Sequence, residues 1–83
     1  MYTIVFRSSA VKELRKLPAV ARKQVVSAIN LLESDPRPRG VKKMAAVEAW
    51  RIRVGEHRVI YSISDQQLVI EIIKVGNRRE VYR

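Results

Sequence analysis

Two arginines alternate with apolar residues in Trp50-Arg51-Ile52-Arg53-Val54, and a third, Arg58, follows just past Gly55-Glu56-His57. Side chains of this type at this spacing suit phosphate. Each guanidinium presents a rigid fork of N–H donors that clamps two oxygens at once, and it keeps its charge near neutral pH. Trp50, Ile52 and Val54 alternating with Arg51 and Arg53 have the period of a strand with one buried face. Val59, Tyr61 and Ile63 repeat the pattern on a return strand. Gly55-Glu56 predicts a two-residue hairpin loop, with Gly55 supplying the positive φ that a type II′ turn requires at its first central position. That register sets Val54 opposite His57, Arg53 opposite Arg58, and Trp50 opposite Tyr61. Like charges facing each other across a ladder destabilise it. An anion-holding face is therefore expected to carry Arg51, Arg53 and Arg58, with Trp50 and Tyr61 as core aromatics behind it. His57 belongs to the residue type that titrates near neutrality, but the same register turns it away from Arg53 and Arg58.

The rest of the composition supports an acidic partner. Seventeen Lys and Arg against eight Asp and Glu leave a net charge of +9 on 83 residues. Nucleic acid is the first expectation, then an acidic protein, then anionic lipid. Arg37, Arg39, Lys42 and Lys43 precede the hairpin, and Lys74, Arg78, Arg79 and Arg83 follow it, so the surplus gathers on the sheet, its loop and its tail. We take Arg37, Arg39, Lys42 and Lys43 as RNA-binding residues that steer phosphate without doing chemistry. The chain has no cysteine and one histidine, which excludes disulfides, thiol catalysis and any cysteine-ligated zinc. No metal and no cofactor are expected. The sequence shows no signal-peptide core and no apolar run of membrane-spanning length, so the expected location is the cytoplasm.

The elements that must position the arginines follow from the same periodicities. Tyr2 to Phe6 predicts a first strand, and Ser8 or Ser9 is placed to cap a short helix with Val11 and Leu14 on its buried stripe. Pro18 opens a second helix in its first turn, where a missing N–H costs nothing. Ala21, Val25, Ala28, Ile29 and Leu32 give that helix its apolar face. Asp35-Pro36-Arg37-Pro38-Arg39-Gly40 stops it, and the 42–48 segment has no clear period. After the hairpin, Asp65-Gln66 predicts a turn and Gln67 to Val75 a last strand. On that strand Leu68, Ile70 and Ile72 are expected on one face, with Val69, Ile73 and Val75 on the other. The expectation is one α+β domain over residues 1–83, ordered β-α-α-β-β-β. Two N-terminal helices would pack on one face of a small, mainly antiparallel sheet, leaving the arginines on the opposite face.

These residues, in this order, resemble the RelE/ParE superfamily of toxins from type II toxin–antitoxin pairs, the RelE branch above all. The resemblance lies in Phe6-x-x-x-Ala10-x-Lys12-x-Leu14 with Leu17-Pro18, in Trp50-Arg51-Ile52-Arg53-Val54-Gly55, in Arg58-Val59-Ile60-Tyr61, and in Val75-Gly76-Asn77-Arg78-Arg79-Glu80-Val81-Tyr82. It implies a microbial-ribonuclease-like fold and a ribosome-dependent endoribonuclease, an mRNA interferase that cuts message in the ribosomal A site. It also implies a RelB-type antitoxin, acidic or amphipathic, that folds on binding in a toxin–antitoxin hetero-oligomer. Matched position by position, Arg51, Arg53, Arg58, Arg78 and Tyr82 are the catalytic residues it implies. Arg79 and Arg83 are assigned to RNA binding, with added charge or antitoxin contact as the alternatives. Some relatives carry lysine where this chain has Arg51 and Arg53, and many carry histidine or lysine at the position of Asn77.

The implied reaction is attack of a ribose 2′-hydroxyl on the adjacent phosphate, leaving a 2′,3′-cyclic phosphate and a 5′-hydroxyl. It needs in-line positioning, stabilisation of the phosphorane oxygens, and proton transfer at both ends. The arginines supply the stabilisation. Tyr82 can stack on a splayed base or move a proton. Arginine is a poor general base, so the group that moves the remaining proton stays unassigned. Two other functions stay open: a ParE-like inhibitor of DNA gyrase, which the resemblance implies to share the fold without a nuclease site and against which the set Arg51, Arg53, Arg58, Arg78 and Tyr82 argues, and an RNA-binding module with the basic face and no turnover.

Overall fold

The structure is a computed structural model and describes residues 1–77. Its elements run β1 (Thr3–Phe6), α1 (Ser8–Arg15), α2 (Ala19–Leu31), β2 (Lys42–Lys43), β3 (Trp50–Val54), β4 (His57–Ser64) and β5 (Val69–Asn77). The strands form one sheet in the order β1-β5-β4-β3-β2. Every pairing is antiparallel except that of β1 with β5, which sets Thr3 beside Val69 and Phe6 beside Ile72. The architecture is the expected one, with β2 added from the segment whose pattern was unreadable.

Both helices lie on one side of this sheet because their apolar residues recur at helical spacing. Ala10 of α1, Val25 and Ile29 of α2, and Leu32 at the C-cap of α2 are buried against Ile52, Val59, Tyr61, Ile70, Ile72 and Val75. Tyr2, Ile4, Leu14, Leu17, Ala28 and Trp50 pack around that core. Each buried branched side chain stabilises the fold by about 1.5–3 kcal/mol relative to exposure. On the other side of the sheet, Ala49 and Ile60 form a small second cluster with Met44 and Ile73.

Four local details differ from the sequence expectation, each for a backbone reason. Ser8 is the first residue of α1 rather than its cap; Arg7 caps the helix with an extended backbone and no side-chain bond. The Arg7 N–H donates to the Ile72 carbonyl at 3.0 Å, so strand pairing sets the entry to the helix. Pro18 likewise caps α2 from one position before its first turn, its carbonyl accepting the Arg22 N–H at 2.9 Å. The last strand begins at Val69, because Leu68 takes a left-handed φ of 56° and belongs to the turn. The register also shifts after Ile60: Ile60 faces Lys74 but Tyr61 faces Ile72, leaving Ile73 as the extra residue of a bulge. Ile70, Ile72 and Val75 therefore all join the helix-side core, while Ile73 alone turns to the second cluster.

Past Ile72, β1 no longer covers the edge of β5, and a side chain takes its place. Glu13 of α1 accepts the Val75 N–H on Oε1 and the Lys74 ammonium on Oε2, both at 3.0 Å. A carboxylate thus closes the edge where the parallel partner ends. Among the described residues, no helix is long and apolar enough to cross a membrane.

Candidate nucleic-acid interface

The hairpin forms with the predicted register. Val54 pairs with His57, Arg53 with Arg58, Ile52 with Val59, Arg51 with Ile60 and Trp50 with Tyr61. Gly55 has φ +61°, and Glu56 is not in the left-handed region, which is the type II′ pattern. Alternation then separates two faces. Trp50, Ile52, Val59 and Tyr61 meet the helices, so Arg51, Arg53 and Arg58 share the side that the helices leave uncovered.

The neighbouring strands extend this row. Lys42 of β2 lies directly opposite Arg51, and Gly76 of β5 directly opposite Arg58. The face thus carries Arg53, Arg58 and Gly76 in one row, with Lys42, Arg51 and Ile60 in the next. A glycine beside Arg58 leaves no side chain over the strand there, which lets another backbone approach closely. Exposure grades the three arginines. Arg53 is open to solvent, Arg51 is half-buried, and Arg58 is only 3% exposed, so it forms the floor of the face rather than its rim. Arg51 and Arg58 are both engaged by other groups.

The basic residues of the preceding loop divide. Arg39 and Lys42 join Arg53 around an open groove of about 500 Å³, whose remaining wall is Ala28, Leu31, Pro38, Gly40 and Ile52. Arg37 and Lys43 do not join them. Arg37 lies over the Trp50 ring, 5.0 Å from its centroid, on the helix side of the sheet. Its two terminal nitrogens donate to the Asp65 carboxylate at 3.4 and 2.9 Å. Tyr2 donates its hydroxyl to the same carboxylate. Hydrogen bonds from Arg37, and then from Tyr2, hold the Asp65 carboxyl below its ordinary value, and Asp65 in turn pushes the Arg37 guanidinium up. Lys43 also lies toward Trp50, 6.0 Å from the ring centroid, and pairs with Glu48 at 3.4 Å. The Tyr61 hydroxyl donates to the Pro36 carbonyl at 2.7 Å, and burial pushes this phenol well up. Together these contacts fasten the loop that carries Arg39 to the end of the sheet.

His57 lies on the helix side, as its register required. It lines a separate cavity of about 360 Å³ with Glu13, Lys16, Leu17, Lys74, Val75, Gly76 and Asn77. Among the described residues, no group of three or more His, Cys, Asp and Glu side chains could hold a metal ion. Arg78, Arg79, Tyr82 and Arg83 lie outside the described residues. The place of Lys42 beside Arg51 was missed in the sequence, because a two-residue strand is too short to show a period.

Two helices packed on one face of a five-stranded, mostly antiparallel sheet is the fold of the solved RelE toxins that this chain matches. The chain matches the family described as "ParE toxin of type II toxin-antitoxin system, parDE" over residues 4–82, and it belongs to this RelE/ParE superfamily. Its relatives point to the RelE branch within it. It is 29% identical to the mRNA interferase toxin RelE of Escherichia coli strain K12, with 98% of this chain and 90% of that protein covered. It is 30% identical to the toxin RelG of Mycobacterium tuberculosis, covering 99% and 97%. Among solved structures, it matches the archaeal RelE–RelB complex from Pyrococcus horikoshii with a TM-score of 0.84 at 30% identity, covering 95% of this chain and 97% of that one. It matches the isolated E. coli RelE toxin with a TM-score of 0.82 at 29% identity, covering 99% and 92%. The chain is a RelE-type toxin.

Proposed function

We propose that this toxin is a ribosome-dependent endoribonuclease that cuts messenger RNA in the ribosomal A site and is silenced by a RelB-type antitoxin. The observation that carries the reading is the Arg53–Arg58 pair, set directly opposite across the hairpin on the side of the sheet that the helices leave uncovered. A phosphate set between two guanidinium groups meets forked donors from both strands. Stabilisation is greatest once the phosphorane carries its extra charge. Arg51 lies two residues along the same face, and Arg78 and Tyr82 complete the set that the resemblance assigns. Catalysis here is positioning and charge stabilisation, with the ribosome holding the message in shape.

The similarity to a protein named mRNA interferase supports the same reading. The cytoplasm, where translation occurs, is the location that goes with it. The antitoxin follows from relatives solved as RelE–RelB complexes and from an apolar strip on α2. Val20 and Leu31 stand 71% and 69% exposed there, beside Lys23, Gln24, Ser27 and Ala28. An amphipathic acidic segment that folds on binding suits a strip of this kind with basic neighbours.

Induced expression tests the proposal. Translation should stop, and primer extension should find message cut within codons. The matched family is named for ParE toxins, and the rival that the resemblance attaches to that branch is inhibition of DNA gyrase. Blocked supercoiling with intact message would establish that rival and overturn the nuclease reading.

A further inference from the structure

Guanidinium groups stabilise a phosphorane but do not hand over protons near neutral pH. The leaving 5′-oxygen needs one. We propose that Lys42 supplies it; the inference rests on the nuclease reading above and assigns the general acid of that reaction.

Three observations single out Lys42. It stands directly opposite Arg51 across the β2–β3 ladder, where facing residues share one face and their Cβ atoms lie about 4.5–5.5 Å apart. It also lines the same open groove as Arg53 and Arg39, which puts it within reach of a ligand that Arg53 holds. Finally, the sheet carries three lysines among the described residues, and two of them are committed elsewhere. Lys43 pairs with Glu48 and Lys74 with Glu13. Lys42 is exposed and makes no ion pair among the described residues. An ammonium at this place carries a transferable proton, which is what a general acid requires.

In the step assigned to it, the 2′-oxygen bonds to phosphorus while its proton passes to water. The P–O5′ bond breaks with its electron pair going to the 5′-oxygen, and Lys42 Nζ gives that oxygen a proton. The products are a 2′,3′-cyclic phosphate and a 5′-hydroxyl, and solvent returns the proton to Lys42.

The test uses the full chain on ribosomes programmed with a message, in single turnover. The scissile position carries either the natural 5′-oxygen or a bridging 5′-sulfur, which leaves without needing a proton. Lys42→Arg keeps the charge and removes the proton donor, and circular dichroism checks its fold. On the oxygen substrate this variant should be slower by on the order of 10²-fold. On the sulfur substrate it should match the wild type. Equal slowing on both substrates, or no slowing on either, overturns the inference and leaves the nuclease reading in place. A wild-type protein that cuts no ribosome-bound message overturns both.

Discussion

Replacing Glu13 should open the edge of the sheet in two separable steps. Its carboxylate makes two contacts, to the Val75 N–H and to the Lys74 ammonium, at 3.0 Å each. Glu13→Ala removes both and leaves the Val75 N–H to water. A hydrogen bond to a charged group contributes about 1.5–3 kcal/mol. The Lys74 pair adds only about 0.2–1 kcal/mol, because its side chains are 39% and 28% exposed and solvent screens them. With water reaching part of the opened edge, about 2 kcal/mol is the expected total. Glu13→Gln keeps an oxygen for Val75 but loses the ion pair and the charge on that acceptor, which sets its cost at roughly 1 kcal/mol. In a domain of this size, 1 kcal/mol moves Tm by about 4–8 °C, so the alanine variant should melt about 10 °C low and the glutamine variant about 5 °C low. Thermal melts read this directly, and amide exchange should quicken at Val75 in Glu13→Ala but not in Glu13→Gln. Equal losses for the two variants, or unchanged exchange at Val75, would refute the edge-closing role.

Arg53→Ala should relieve toxicity at unchanged Tm, because that side chain is exposed. Arg58→Ala should relieve toxicity and lower Tm by several degrees, because its aliphatic stem is buried in the sheet floor. Matching melting temperatures would contradict that division. Ile29→Ala empties a fully buried site and should cost about 2–5 kcal/mol in urea unfolding at an unchanged m-value. Asp65 has a lowered folded-state pKa, so its contribution is present above the unfolded value of about 3.9 and disappears as pH falls through the folded one. The Tm advantage of wild type over Asp65→Asn should therefore be full at neutral pH and shrink as the solution is acidified below the unfolded value; an advantage that grows on acidification would be inconsistent with this sign.

The hairpin was legible because two independent signals agree there. Trp50, Ile52 and Val54 fix which face is buried, and Gly55 fixes where the chain turns, so the opposition of Arg53 and Arg58 follows without knowledge of the rest. The α2 face was legible for the same reason, since Val25, Ile29 and Leu32 repeat over a full helix. The bulge at Ile73 was not, because an inserted residue changes the face of Val75 without changing the composition of the strand. Nor was the fate of Arg37. A loop with two prolines and a glycine has no period from which direction can be read, and only Trp50 and Asp65 in space draw it to the helix side. The short β2 strand hid the neighbour of Arg51 in the same way.

The parallel pairing of Thr3–Phe6 with Val69–Ile72 makes the first strand wait for nearly the last. During synthesis the hairpin is made before the strand that backs Arg58 with Gly76, and the opening segment has nothing to pair with until that strand emerges. Such distant closure makes folding slow compared with local helical folds. The arginine face is therefore backed by its full sheet only after the ribosome has released β5, which separates the making of the toxin from its action.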